Sequence, residues 1–149
     1  METEKVDLIS ELNKLVTINN DRTVGYEKAA EETSDNELKQ LFLKFASQSK
    51  RFNSDLSMEV RNSGGKADTG TTTSGKFYRA WMDIKSALTG KDRKAILASC
   101  EYGEDVAKDT YKEIMGENNI PGNIRSLVNS QLNEITSAHD EIRRLRDSI

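Results

Sequence analysis

Four long stretches of this chain repeat apolar residues at alternating spacings of three and four, with almost nothing to interrupt them. That rhythm returns a side chain to the same helix face every turn, so it commits the chain to amphipathic α-helices. The breakers are few and grouped. Pro121 is the only proline, and most glycines fall between Gly64 and Gly90 or close to helix ends. No segment alternates with period two for long enough to read as a strand, so the expected class is all-α.

The first helix is expected over about 3–33, with Ile9, Leu12, Val16, Asn19, Thr23, Tyr26 and Ala30 on its stripe and Thr3 as its cap. The stripe is apolar at its start and turns polar at Asn19, Asn20 and Thr23. Ser34 or Asp35 caps the second helix, with Ser34 and Glu37 at capping-box spacing. That helix covers about 35–63, buries Leu38, Leu41, Phe42, Phe45, Phe52, Leu56 and Val60, and carries Gln48 on the same line. Gly64 and Gly65 stop it.

Residues 66–74 are rich in Gly, Thr and Ser and form the least ordered stretch by composition. A shorter helix over about 75–88 follows, with Phe77, Trp81, Ile84, Ala87 and Leu88 on one face. Trp81, Phe77 and Tyr78 are expected to cover the flank of the molecule, or to form an oligomer interface if that face stays exposed. The last two helices span about 92–115, through Ile96, Leu97, Cys100, Glu104, Ala107, Tyr111 and Ile114, and about 123–146, through Ile124, Leu127, Val128, Gln131, Ile135, Ala138, Ile142 and Leu145. Two short-looped hairpins joined by a long crossover is the connectivity of a ferritin-like up-and-down four-helix bundle, here a single domain over 1–149 with a short extra helix in the crossover.

Composition removes several function classes. The chain has 22 Lys and Arg against 25 Asp and Glu, a net charge of −3, and no basic block. Nucleic-acid binding is therefore not expected, since phosphate neutralisation needs a basic stripe. Arg143, Arg144 and Arg146 alternate with Asp140, Glu141 and Asp147 and read as a solvated, salt-bridged face. No apolar run nears the roughly 20 residues that cross a bilayer, and Met1–Lys5 lacks a basic start and apolar core. The expected compartment is the cytoplasm. Cys100 is the only cysteine, which rules out an intramolecular disulfide and a thiolate metal cage.

Four stretches carry a resemblance. Gly25-Tyr26-Glu27-Lys28-Ala29-Ala30-Glu31, Trp81-x-x-Ile84-Lys85-x-Ala87-Leu88-Thr89-Gly90, Cys100-Glu101-x-Gly103-Glu104-Asp105 and Ala138-His139-Asp140-x-Ile142-x-x-Leu145-Arg146-Asp147 together resemble uncharacterised bacterial ferritin-like bundle proteins of unknown function. These are distantly similar to YciF-type stress proteins. The resemblance implies a ferritin-like fold, a bacterial source and a stress context, and no established activity.

A di-iron site in such a bundle needs a Glu from each of two helices and a Glu-x-x-His from each of the other two. Glu101 and His139 fit that pattern and are the candidate metal ligands, with Asn20, Glu27, Gln48 and Glu104 as neighbours. Gln48, Arg51 and Thr136 depart from it. By hairpin geometry Gln48 is expected opposite Asn19 or Asn20. Of Glu101 and Glu104, the one turned inward is expected to accept hydrogen bonds from Tyr, Asn or His139. Asn19, Asn20, Thr23, Gln48 and Gln131 are expected to form a polar layer that fixes helix register.

The functional expectation is thus a non-enzymatic bundle protein without a cofactor, acting through protein contacts as a homodimer. Its alternatives are a reduced metal site at Glu101 and His139 holding iron, manganese or zinc, and a thiol sensor at Cys100.

Overall fold

The computed structural model describes residues 2–70, 76–90 and 92–148, with side chains from Leu8 in the first helix and from Trp81 in the third. Among them are five helices and no strand: α1 (Glu2–Glu32), α2 (Asn36–Asn62), α3 (Lys76–Gly90), α4 (Arg93–Met115) and α5 (Gly122–Asp147). The expected boundaries are met to within one or two residues.

The helix starts show which capping signals act. α2 is capped by Asp35, whose carboxylate accepts the Leu38 N–H at 3.1 Å, so the alternative cap Ser34 is unused. The capping box does not form, because Glu37 turns to Arg93 instead. Asp92 caps α4 through the Ala95 N–H. α1 already runs from Glu2, which places Thr3 inside the helix and not at its cap. α2 ends at Asn62, and the chain turns away from it through Gly64, whose φ of +88° is strained for any residue with a Cβ. Arg125 reaches back to the Met115 and Glu117 carbonyls, satisfying acceptors that the end of α4 leaves open.

Side-chain pairs give the helix directions. Asn20 meets Asn53, Arg22 meets Ser49 and Glu27 meets Lys50, so α1 and α2 are antiparallel. Tyr111 meets Gln131 and Glu101 meets Arg146, so α4 and α5 are too. Arg93, at the start of α4, pairs with Asp35 and Glu37 at the start of α2, which sets α4 running the same way as α2. The chain must therefore return along the molecule between them. It does so against α1: Asn13 holds the Lys66 carbonyl and the Asp68 N–H, and Asn20 holds the Gly70 carbonyl. The described part of the Gly/Thr/Ser-rich stretch is therefore pinned, contrary to its composition; residues 71–75 lie outside the described residues. α3 then packs on α4 and α1. Trp81 lies against Gly25, where a Cβ would stand 3.2 Å from its ring. Its covering role holds; the side chains of Phe77 and Tyr78 lie outside the described residues.

Two apolar clusters fill the interior. One gathers Tyr26, Leu38, Phe42, Phe45, Leu97, Cys100 and Ile142 with Ile84 and Leu88 of α3. The other gathers Leu12, Leu15, Phe52, Leu56, Tyr111, Ile114, Val128 and Ile135. Between them lies a band of buried polar groups.

Candidate functional site: a buried ion pair between two apolar clusters

Arg22 is the largest side chain in that band and is 1% exposed. On α1 it falls on the line of Leu15, Asn19, Tyr26 and Ala29, at helical spacings of four and three, so the face that builds the core also carries a guanidinium inward. Its Nη2 donates to Oε1 of Glu104 on α4 at 2.9 Å and to Oε1 of Gln48 at 3.0 Å, and its Nη1 donates to Ser49 Oγ at 2.9 Å. The Tyr26 hydroxyl donates to the same Glu104 oxygen at 2.5 Å. The guanidinium also lies 5.8 Å from the Tyr26 ring centroid, and that ring packs on Phe42 and Phe45.

The electrostatics follow from burial. Loss of water works against the charge on Arg22, but the Glu104 carboxylate beside it outweighs that and holds the guanidinium above its ordinary value. Burial, reinforced by the negative charge of Glu104, pushes the Tyr26 phenol well up, so it remains a donor. A second chain of bonds continues across the band. Asn19 Nδ2 donates to the Tyr111 hydroxyl at 2.8 Å, Tyr111 donates to Gln131 Oε1 at 2.7 Å, and Gln131 reaches the Phe52 carbonyl. Burial likewise raises the Tyr111 phenol.

The sequence-derived candidates distribute unevenly around this band. Glu104 is the inward glutamate, and one of the expected donors, Tyr26, is on it. Asn19 and Gln131 sit in the polar layer as expected, and Gln48 borders it through Arg22. Asn20 instead reaches outward to the 66–70 segment, and Thr23 bonds the Asn19 carbonyl of its own helix. Glu27 is a surface partner of Lys50 at 3.4 Å. Arg51 is not in the core: it is exposed and pairs with Glu134 at 2.5 Å. The residue that bonds Gln48 is Arg22, one turn or less along α1 from the expected Asn19 or Asn20. Thr136 is half-buried and bonds the Leu132 carbonyl.

Glu101 and His139 do come together, at the edge of the interior. His139 Nε2 lies 4.0 Å from Glu101 Oε2 and 2.9 Å from Asp105 Oδ1, while Nδ1 lies 3.2 Å from Asp140. Glu101 is also held by Arg146. Among the described residues no group of three or more His, Cys, Asp or Glu is arranged to hold a metal ion. The donor set of the buried band fits a di-iron centre no better. Its most deeply buried carboxylate, Glu104, is already neutralised by a guanidinium that cannot lose its proton. Cys100 is fully buried, and burial followed by the charge of Glu104 pushes its thiol up, away from the thiolate that reacts.

These features define a class: an all-helical protein organised round a buried Arg–Glu pair in a hydrogen-bonded polar band. Residues 7–117 match the family described as Domain of unknown function (DUF2383), and the chain belongs to that family. The matched span contains Arg22, Tyr26, Glu101 and Glu104 and ends before Gln131 and His139. No curated protein matches the sequence. No helix among the described residues is long and apolar enough to cross a membrane.

Proposed function

We propose that this chain is a ferritin-like up-and-down four-helix bundle, one domain with α3 in its crossover, whose core is structural and whose work is done at its surface. It acts through contacts with other proteins, in the bacterial stress context that the resemblance implies, and self-associates as a homodimer without catalysing a reaction. The bundle reading is supported by the two antiparallel hairpins, the shared direction of α2 and α4, and the return segment laid along α1.

The observation that carries the functional reading is the Arg22–Glu104 pair. A divalent ion placed roughly 5 Å from the guanidinium would be repelled by about 7 kcal/mol at an effective dielectric of about 20. The same guanidinium already takes the carboxylate the ion would need. Surface contact is supported by Leu43, Met58 and Met82, apolar side chains that stand 42–52% exposed on α2 and α3. Light scattering tests the association: twice the chain mass is expected, and a monomer at all concentrations counts against it.

A second reading is favoured by one atom. Glu101 Oε2 is buried without a hydrogen-bond partner among the described residues and faces His139. Under that reading Glu101 and His139 hold a single divalent cation completed by water. Elemental analysis of anaerobically purified protein offered iron, manganese and zinc separates the two. The structural-core reading expects no stoichiometric metal; one ion per chain, lost in His139→Ala, establishes the second reading and overturns the first.

A further inference from the structure

We infer that Met58 and Met82 are sites of oxidative modification, at which a peroxide converts the thioether to a sulfoxide and so weakens the association of this chain with a second copy of itself. The choice of sites rests on where the sulfur atoms lie; the effect on association rests on the homodimer reading proposed above.

The chain carries one cysteine and four methionines. Cys100 is 0% exposed, and burial followed by the charge of Glu104 pushes its thiol up, so the thiolate that a peroxide attacks most readily does not form. A thioether has no proton to lose, so access alone decides which methionine reacts. Met115 is half-buried against the apolar cluster of Leu12, Phe52 and Tyr111. Met58 on α2 is 52% exposed and Met82 on α3 is 42% exposed. Met1 lies outside the described residues. The reduced sulfur that solvent meets on the described surface is therefore thioether and not thiol.

In the step, a sulfur lone pair attacks one oxygen of hydrogen peroxide supplied from solution. The S–O bond forms as the O–O bond breaks, and the departing hydroxide takes the proton of the transferred oxygen and leaves as water. The sulfur gives up two electrons and the peroxide gains them. A flexible apolar side chain thus becomes a polar one.

Met58 and Met82 are two of the apolar side chains that support the contact reading, and the third, Leu43, has no atom to oxidise. A sulfoxide oxygen buried in that contact without a donor disfavours association and should raise the dimer dissociation constant by about tenfold or more. Peroxide reaches the sulfur in the dissociated chain, so oxidation also slows as protein concentration rises.

The test treats the folded full-length chain with hydrogen peroxide and maps the products by peptide mass spectrometry. Met58 and Met82 should each gain one oxygen before Met115 does, with Cys100 unchanged. Oxidation of Cys100 as early, or of Met115 at the same pace, overturns the choice of sites. Light scattering follows association. The scattering mass should fall from twice the chain mass to the chain mass on oxidation, while the double variant Met58→Leu, Met82→Leu, its helices checked by circular dichroism, stays a dimer under the same treatment. A dimer that survives sulfoxidation at both sites, or a double variant that still dissociates, overturns the inference and leaves the homodimer reading standing. A chain that is monomeric before treatment overturns the homodimer reading and the effect on association with it, while the order of oxidation still decides the sites.

Discussion

Replacing Arg22 with methionine keeps much of the side-chain length and removes the charge. Glu104, 1% exposed, would then keep only the Tyr26 hydroxyl of its two donors. Removing one partner of a buried ion pair costs about 3–5 kcal/mol, because the charge left behind is neither solvated nor compensated. With a urea dependence of about 2 kcal/mol per molar, that loss lowers the unfolding midpoint by about 2 M. The double variant Arg22→Met, Glu104→Leu removes both charges and strands the Tyr26 hydroxyl, at about 1–3 kcal/mol. It should therefore be more stable than Arg22→Met alone. The assay is urea unfolding followed by helical circular dichroism for the wild type, both single variants and the double. A loss below about 1 kcal/mol in Arg22→Met, or strictly additive losses in the double, would refute the pairing, since additivity marks groups that do not interact.

Other expectations follow from neighbouring features. At Asp35, burial opposes the charge, but the Leu38 N–H and the Arg93 guanidinium outweigh it and hold the carboxyl below its ordinary value. Its contribution is thus present above about pH 4 and lost as pH falls through the lowered folded value; Asp35→Ala should cost about 1 kcal/mol at neutral pH and flatten acid unfolding over that range. Burial, then Glu104, raises the Tyr26 phenol, so the unfolded chain ionises first and stability should fall as pH climbs above about 10, less steeply in Tyr26→Phe by alkaline melts. Gly64→Ala places a Cβ at φ +88° and should cost about 1–2 kcal/mol in thermal melts, whereas at Gly122, where no atom lies within 4 Å of an added Cβ, the same change should cost less. Cys100 should resist thiol reagents in the native protein and react once in denaturant; rapid native labelling would contradict its burial.

How far the sequence led can be traced residue by residue. The helices were legible because their stripes are long and their ends carry Asp35, Gly64, Asp92 and Pro121, each acting on its own backbone. The core of α2 was legible for the same reason, since Leu38, Phe42, Phe45, Phe52, Leu56 and Val60 are all buried. Arg22 was missed although a signal existed. The inward line of α1 runs through Leu15, Asn19, Arg22, Tyr26 and Ala29, and following Thr23 in place of Arg22 rotated it by one residue. Glu104 lay on the core line of α4, so two opposite charges on facing core lines were the available clue. Hairpin geometry set Gln48 against Asn19 or Asn20, whereas its partner is the long side chain of Arg22 on the same helix. Long-range register of that kind is decided by packing between helices and not by any local pattern.

The central claim is that a guanidinium occupies the middle of this molecule and holds the buried carboxylate of Glu104. It is tested most directly by a crystal of the chain grown with ferrous or manganous ion and measured for anomalous scattering. The expected map shows Arg22 bonded to Glu104 Oε1 with no metal peak between the two apolar clusters. A peak there, with Glu104 turned onto a metal ion and Arg22 displaced, would contradict it.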